Sequence, residues 1–177
     1  MTDRPLTLIR AEPEALSDFK RALQTAFSLA VADEPGVLDN GPIPSDGDLD
    51  AAIAAPGALT LEIVQGGQRV GGAVVVIDER THHNRLDLFY IVVGHHGRGL
   101  GRKAWMAIEA MFPETLLWET QTPYFEKRNI HFYINVCGFK AVEFFNERHS
   151  DPHHAYSDDG IGDEMFRFEK EMRVPIL

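Results

Sequence analysis

The feature that most constrains the fold is an apolar strand that runs directly into a glycine-rich turn and then into a helix. Residues 86–93 read LDLFYIVV, an almost continuous apolar run that is typical of a central strand covered on both faces. Residues 94–105 read GHHGRGLGRKAW, and an apolar helical face continues from Leu100. Glycines at such a place let the backbone approach a ligand closely, and the helix N-terminus offers unpaired N–H groups to an anion. The segment therefore predicts a binding site for a phosphate-bearing molecule.

The other segments of the chain alternate between strand and helix patterns. Besides the helix after the glycines, the apolar spacing predicts helices over 14–30, over 45–54 behind a Ser45/Asp48 capping pattern, and over 123–139, from a proline to Gly138. Besides 86–93, the pattern predicts strands at 6–11, 59–64, 71–78, 115–122, 141–147 and 164–172. This order predicts one α/β domain over residues 1–177, built on a mixed sheet flanked by helices.

Composition argues against several classes of partner. A formal net charge of −10 and the lack of a basic cluster argue against a nucleic-acid partner. No apolar run approaches membrane-spanning length and the first residues carry scattered charges, so we expect no membrane partner, no signal peptide and a cytoplasmic location. The single cysteine, Cys137, fits a reducing compartment and is expected to be a buried apolar residue. The acidic balance suits a cationic partner.

Two familiar classes of phosphate-binding protein do not fit the glycine turn. A P-loop requires Gly-Lys-Ser/Thr, whereas Arg102 and Lys103 follow Gly101. A dinucleotide-binding fold requires G-x-G-x-x-G, and the third glycine of that pattern falls on Arg102 when the count begins at Gly97. The strands before the turn also read as an antiparallel hairpin, where a dinucleotide fold has parallel strands. The glycine turn therefore fits another class of protein better.

Two motifs resemble those of the general-control-type N-acetyltransferase (GNAT) superfamily. HGRGLG at 96–101 resembles its Q/R-x-x-G-x-G/A signature, with His96 at the first position. Tyr133 ahead of Gly138-Phe139 resembles its late motif, although four residues separate Tyr133 from Gly138 where the family more often has three. Glu126 stands where an Asn is common. The resemblance covers about the whole chain and implies this family's fold, a central, mostly antiparallel mixed sheet flanked by helices.

The resemblance implies acetyl-CoA as the cosubstrate and no metal. Backbone amides of the turn would hold the pyrophosphate, and the side chains of Arg102 and Lys103 would add positive charge at the rim. The strand before the turn would part from its neighbour and present main-chain groups to the pantetheine arm. The residues expected at coenzyme A are Ile91, Val92, Val93, Gly97, Arg98, Gly99, Leu100, Gly101, Arg102, Lys103 and Asn129.

The resemblance also places Tyr133 beside the sulfur of coenzyme A, as the acid that protonates the departing thiolate. The attacking amine must lose a proton, and Glu119 and Asp87 are the candidate bases. Glu119 is expected near the end of its strand that faces the cofactor, with a structural carboxylate as the other interpretation. Asp87 is the single acid of an apolar strand, and an ordinary ion pair with Arg85 is an equally good interpretation. Cys137 lies beside no His–acid pair, so we expect direct attack by the amine without a covalent intermediate.

The acceptor is expected to be an amine of a small molecule or a peptide, and a homodimer is compatible with this class of protein. The loop 148–163 contains His149, His153, His154 and Asp151. That composition resembles a ligand set, but the loop is polar throughout and lacks a regular scaffold, so a substrate-facing loop is the better interpretation than a metal site. The alternative function is a non-catalytic acyl-CoA-binding or sensing module that has kept the glycine turn.

Overall fold

The computed structural model describes residues 4–33, 35–36, 41–95, 97, 99–153 and 164–173. Their seven strands form one sheet in the order β1-β2-β3-β4-β5-β7-β6. The strands are β1 (Leu6–Arg10), β2 (Ala58–Gln65), β3 (Gln68–Val76), β4 (His83–Ile91), β5 (Leu117–Pro123), β6 (Lys140–Phe145) and β7 (Met165–Glu171). Within the described residues β4 and β5 pair in parallel and every other neighbouring pair is antiparallel. The predicted mixed, mostly antiparallel sheet is confirmed.

Helices pack against this sheet in the predicted order. They are α1 (Leu16–Ala30), α2 (Asp46–Ala54), α3 (Leu100–Met111) and α4 (Lys127–His131), and a π-helical turn (Phe132–Val136) continues α4. Ser45 caps α2, because its hydroxyl accepts a hydrogen bond from the Asp48 N–H at 3.2 Å, as the capping pattern predicts. Among the described residues no helix combines the length and the apolar character that crossing a membrane requires.

The core has two layers, one on each face of the sheet. On one face, called here the α3 face, the ring of Trp105 in α3 packs with Trp118 of β5 and Phe168 of β7, all fully buried. On the opposite face, called the α1 face, Phe19 of α1 packs on Tyr90 of β4, with ring centroids 5.4 Å apart. Alternate residues of each strand therefore point into different layers.

The predicted start of the last helix is wrong. The sequence predicts a helix that begins at Pro123, but β5 runs through Pro123 and α4 begins only at Lys127. A proline fits the first turn of a helix and also the terminus of a strand, because at either place its missing N–H removes no hydrogen bond that the element needs. Here Pro123 is the last residue of β5, aligned with Met165 of β7. The predicted long helix is a short α-helix followed by the π-helical turn.

Candidate active site

A gap between β4 and β5 opens at the centre of the sheet. The two strands pair in parallel only as far as Leu86 opposite Thr120. Beyond that point β4 continues to Ile91 beside β3, and β5 continues to Pro123 beside β7, with no described bridge between β4 and β5. The strands therefore part, as the resemblance implies, and the main-chain groups that face the gap are left for a ligand or for water.

The closed end of this gap is fixed by a buried side chain. The Thr120 hydroxyl donates a hydrogen bond of 2.7 Å to the Leu86 carbonyl, and both residues are buried. We call this point the apex of the gap. Residues near the apex on β5 alternate between the two faces of the sheet, so Thr120 points to the α3 face and Glu119 to the α1 face. A group held at the apex would be approached from both faces.

The glycine turn lies at the open end of β4, directly before α3. Gly97 and Gly99 have positive φ values of 79° and 68°, and a Cβ at either position would meet no atom within 4 Å. Glycine is therefore required there by the backbone conformation, and the space beside it is open. The first N–H groups of α3 have no intrahelical partner and are available to an anion at the place predicted for the pyrophosphate. Arg98 lies outside the described residues.

Gly101 has a different reason to be glycine. It lies in the first turn of α3 with an ordinary helical conformation, and a Cβ there would lie 3.0 Å from a ring carbon of Phe132. The Phe132 ring, in the π-helical turn, also stacks on Phe89 of β4 at a centroid distance of 5.4 Å. Gly101 thus lets α3 approach the segment that contains Tyr133. The helix that starts at the glycine turn is packed directly against the segment that contains the predicted acid.

The other residues expected at coenzyme A lie around the gap. Ile91 ends β4 with a buried side chain, Val92 donates its N–H to the Val70 carbonyl at 2.9 Å, and Val93 is exposed. Leu100 is the first residue of α3 and its side chain is buried, so only its backbone amide can contact a ligand. Arg102 and Lys103 follow it in the first turn of α3. Asn129 of α4 is directed toward β5 and donates to the Thr122 hydroxyl at 3.5 Å.

Tyr133 is held by the π-helical turn. The Cys137 N–H bonds to the Phe132 carbonyl, five residues back, at 2.9 Å, and the Phe139 N–H bonds to the Tyr133 carbonyl at 2.9 Å. Gly138 completes this end with a φ of 84°. A π-helical turn accommodates one residue more than an α-helical turn, so the additional residue between Tyr133 and Gly138 is absorbed in the backbone. Such turns occur often at functional sites.

The Tyr133 side chain lies on the α3 face beside the apex. It is 5% exposed and its ring contacts Phe139 and Phe168 at centroid distances of 5.7 and 5.8 Å. Burial raises the pKa of Tyr133 above its ordinary value of 10.0, and a hydrogen bond with Thr120 opposes part of that rise. Tyr133 is therefore a neutral phenol at physiological pH, which is the form that can donate a proton.

Charged residues occupy the α1 face at the same level of the sheet. Arg167 of β7 contacts Glu119 at 3.2 Å and Glu143 of β6 at 3.5 Å, and it also pairs with its neighbour Glu169. Partial burial lowers the pKa of Arg167, but the hydrogen bond with Glu169 and the nearby carboxylates together outweigh burial, so the pKa is raised overall. Glu119 is thus an ion-paired carboxylate with 29% of its side chain exposed. Sequence reasoning missed Arg167, which is 48 residues from Glu119 in the chain.

Asp87 forms the ion pair with Arg85 that the sequence offers as one interpretation. The Arg85 Nε and Nη2 groups donate to the two carboxylate oxygens at 3.1 and 3.2 Å. Asp87 also occupies an irregularity of β4, because Val74 of β3 pairs with Leu88 and the next residue, Val75, pairs with Leu86. The hydrogen bond with Asp87 raises the pKa of Arg85, and the charge of Glu119 contributes. Asp87 and Glu119 therefore lie in one ionic group beside the apex.

The histidine-containing segment lies next to these charges as far as it is described. His149 lies 3.6 Å from the Glu143 carboxylate, and Gln121 of β5 donates to Asp151 at 3.3 Å. Within the described part of the chain, no three His, Cys, Asp or Glu side chains come together as metal ligands would. His154 lies outside the described residues. The segment that follows β6 is thus joined to the α1 face of β5.

Sequence comparison assigns the chain to a family. The Acetyltransferase (GNAT) family matches residues 23–139, well over half of the chain. The protein therefore belongs to the GNAT family of acetyltransferases. It is also 51% identical to the uncharacterized protein YrkN of Bacillus subtilis (strain 168) over 169 residues, which cover 92% of this chain and 91% of YrkN.

Solved structures agree with this assignment. An acetyltransferase from Thermus thermophilus matches with a TM-score of 0.69 at 17% identity, covering 97% of this chain and 100% of that one. Spermidine N-acetyltransferase from Vibrio cholerae, solved in complex with CoA and spermine, matches with a TM-score of 0.65 at 14% identity, covering 94% and 95%. At such low identities the likeness establishes the fold. The chain therefore has the GNAT fold, in which β4 and β5 part and a glycine turn precedes α3.

Proposed function

We propose that this protein is an acetyl-CoA-dependent N-acetyltransferase, which transfers an acetyl group directly to an amine of a small molecule or a peptide. The observation that carries this proposal is the apex of the β4/β5 gap. A neutral tyrosine, Tyr133, lies beside the apex on one face of the sheet, and the carboxylates of Glu119 and Asp87 lie near it on the other. Acid and base groups on opposite sides of one point suit a reaction that gains a proton at one atom and loses one at another.

Acetyl-CoA fits the shape of the gap. Its pyrophosphate would bind the first N–H groups of α3, where the turn at Gly97 and Gly99 leaves open space. Its pantetheine amides would pair with the edge of β4 between Leu86 and Ile91, which β5 leaves unpaired. Bound in this way, acetyl-CoA would direct its thioester, which carries the activated acyl group, toward Thr120 and Tyr133.

The protein's own groups would then move two protons. The amine nitrogen forms a bond to the thioester carbonyl carbon, and the carbon–sulfur bond breaks. Tyr133 donates its phenolic proton to the departing thiolate and regains one from solvent. Before it attacks, the protonated amine gives one proton to Glu119, directly or through water, and Glu119 later returns that proton to solvent. Glu119 can accept this proton if it leaves its ion pair with Arg167, whose other two carboxylate partners would keep the arginine neutralised. The second proton, which remains on the nitrogen after the new bond has formed, passes to solvent as the amide is produced.

The acceptor is proposed to be a cation at neutral pH. The chain has a formal net charge of −10, and an acidic protein attracts a protonated amine over distances near the Debye length. The ionic group on the α1 face holds Glu119, Glu143, Glu169 and Asp87 against two arginines, which leaves an excess of negative charge beside the apex. The Vibrio cholerae structure of this fold holds spermine, so polyamines belong in the first panel to be assayed.

A thiol-release assay tests the proposed function. Purified protein is given acetyl-CoA with a panel of polyamines, amino acids and peptides, and release of free coenzyme A is measured against reactions without amine. At least one amine is expected to stimulate release, with the acetylated amine detected by mass spectrometry. Tight binding of coenzyme A without stimulated release by any amine would favour the non-catalytic module instead.

A further inference from the structure

A lysine on β7 joins three elements at the end of the segment that holds Tyr133. Lys170 Nζ donates to the Cys137 carbonyl at 2.6 Å, directly after the π-helical turn. The same ammonium group pairs with Glu109 of α3 and lies 5.8 Å from the ring centroid of Trp105. The Lys170 and Glu109 side chains are only 22% and 18% exposed. This is a partly buried charge pair on the α3 face, away from the ionic group around Glu119.

The end of the π-helical turn leaves a backbone carbonyl for which Lys170 is a suitable partner. The π-helix is rare and appears mostly as isolated turns, and the last carbonyls of any helix lack partners within it. The Cys137 carbonyl is one of these, and a cation is the favoured partner at a helix C-terminus. Since Phe168 of the same strand contacts the Tyr133 ring at 5.8 Å, β7 touches both the side chain of Tyr133 and the end of its backbone segment. The position of the phenol relative to Thr120 then depends on β7 at two points.

We propose that Lys170 is a positioning residue for Tyr133, holding the π-helical turn so that the Tyr133 hydroxyl stays at the apex of the β4/β5 gap. Glu109 fixes the ammonium group and keeps the pair electrically neutral. Lys170 does not reach the reacting atoms itself. It can affect catalysis only if Tyr133 is the acid proposed above, whereas its effect on the position of the Tyr133 ring does not depend on any activity.

The first experiment observes Tyr133 directly, without turnover. The chain has four tyrosines, so protein labelled with carbon-13 in the tyrosine rings gives few signals, and Tyr133→Phe identifies that of Tyr133. Lys170→Met is expected to shift or split the Tyr133 signal while leaving that of Tyr90, on the opposite face, unchanged. Lys170→Arg, which keeps a donor for the Cys137 carbonyl, is expected to restore it. An unchanged Tyr133 signal in Lys170→Met overturns the proposal.

A second variant covers the case in which Lys170→Met fails to fold because it leaves Glu109 unpaired. Lys170→Met with Glu109→Gln removes both charges together, and it still deprives the Cys137 carbonyl of its cation. The Tyr133 signal is expected to remain shifted in this double variant. A double variant with the Tyr133 signal of the unmodified protein would mean that Lys170 only neutralises Glu109, which overturns the proposal.

Kinetics supply the third arm, once an amine acceptor is in hand. Lys170→Met is expected to lower kcat about tenfold or more while the KM for acetyl-CoA changes less than about twofold, because misplacing a catalytic group costs rate more than binding. In a Tyr133→Phe background the same change should have almost no further effect on kcat. Equal losses in both backgrounds would show an effect that does not pass through Tyr133 and would overturn the proposal. Lys140→Met, at an exposed lysine of β6, is the control.

Discussion

Beside the apex, each face of the sheet holds a titratable side chain, and the two faces hold it by different interactions. On the α3 face the proposed acid is a tyrosine, Tyr133, and its pKa is raised by burial against Phe139 and Phe168. On the α1 face the proposed base is a carboxylate, Glu119, held by contact with Arg167. Glu119 and Thr120 are adjacent residues of β5, and each points into one of these two environments. The difference teaches that one strand can border a neutral phenol on one face and hold a carboxylate on the other at the same level, because its side chains alternate.

The two environments should respond to different perturbations. Packing and burial fix the α3 face, so changes of shape and high pH should act there. Beside the apex, partly exposed ion pairs hold the charged side chains of the α1 face, so changes of charge should act there, with small effects on stability. Variants that affect one face and spare the other therefore test whether the comparison is correct.

The largest effect is expected for Tyr133→Phe. Removing the hydroxyl deletes the proposed acid and keeps the ring, so kcat should fall about one hundredfold or more, the usual scale for a lost general acid. Coenzyme A affinity and the melting temperature should change little. Calorimetry and thermal unfolding of the same preparation measure both.

Tyr90→Phe is the matched control for that variant. Tyr90 is a buried tyrosine on the α1 face, and its hydroxyl has no described hydrogen-bond partner. Its removal should leave kcat unchanged and should not reduce stability. If Tyr133→Phe lowered the melting temperature and spared kcat, Tyr133 would be a core aromatic and not the acid.

A smaller loss is expected for Glu119→Gln on the α1 face. The amide keeps the shape of the side chain but cannot take a proton, so kcat should fall by about tenfold to one hundredfold if Glu119 is the base. Glu143→Gln is the control, because Glu143 also contacts Arg167 but lies on β6, two strands from the gap. Equal kcat values for the two variants would assign Glu119 to the ion-pair group alone.

The two glycines of the turn should separate binding from chemistry. A side chain at Gly99 enters open space with a strained backbone, so Gly99→Val should weaken acetyl-CoA binding by about tenfold and alter kcat little at saturation. A side chain at Gly101 meets Phe132 at 3.0 Å and pushes on the Tyr133 segment, so Gly101→Val should lower kcat as well. Initial rates over a range of acetyl-CoA concentrations measure both constants. Identical effects would mean that Gly101 also matters only for binding.

The smallest effect concerns stability at high pH. Burial raises the pKa of Cys137 from its ordinary 9.0 to about 12, and burial also raises the pKa of Tyr133 on the same face. Because each pKa is higher in the folded state, the unfolded chain loses these protons first, and stability is lost as the pH rises above about 9. Cys137 alone should lower the free energy of unfolding by about 1.4 kcal/mol between about pH 8 and pH 10. Urea titrations at the two pH values measure this change in the free energy of unfolding, and most of the change should be absent in Cys137→Ala.

The local helices, strands and turns could be predicted from the sequence, but the residues that contact each other across the sheet could not. The glycine turn, the Ser45 cap and the seven strands follow from residues that are close in the chain. Arg167 and Lys170 could not be identified as partners of Glu119 and Cys137, because the contact depends on β7 lying between β5 and β6. The π-helical turn escaped prediction for a related reason. An additional residue in a helix can be absorbed in several ways, and packing around Tyr133 selects one of them.

A crystal structure with bound coenzyme A would test the placement of the reaction most directly. We predict the pyrophosphate at the first N–H groups of α3, the pantetheine arm along β4, and the sulfur within hydrogen-bonding reach of the Tyr133 hydroxyl, about 3 to 4 Å. Thr120 and Leu86 should border the sulfur at the closed end of the gap. Coenzyme A bound outside the β4/β5 gap, or a sulfur atom more than about 6 Å from that hydroxyl with the phosphates in place, would contradict the assignment of Tyr133 as the acid.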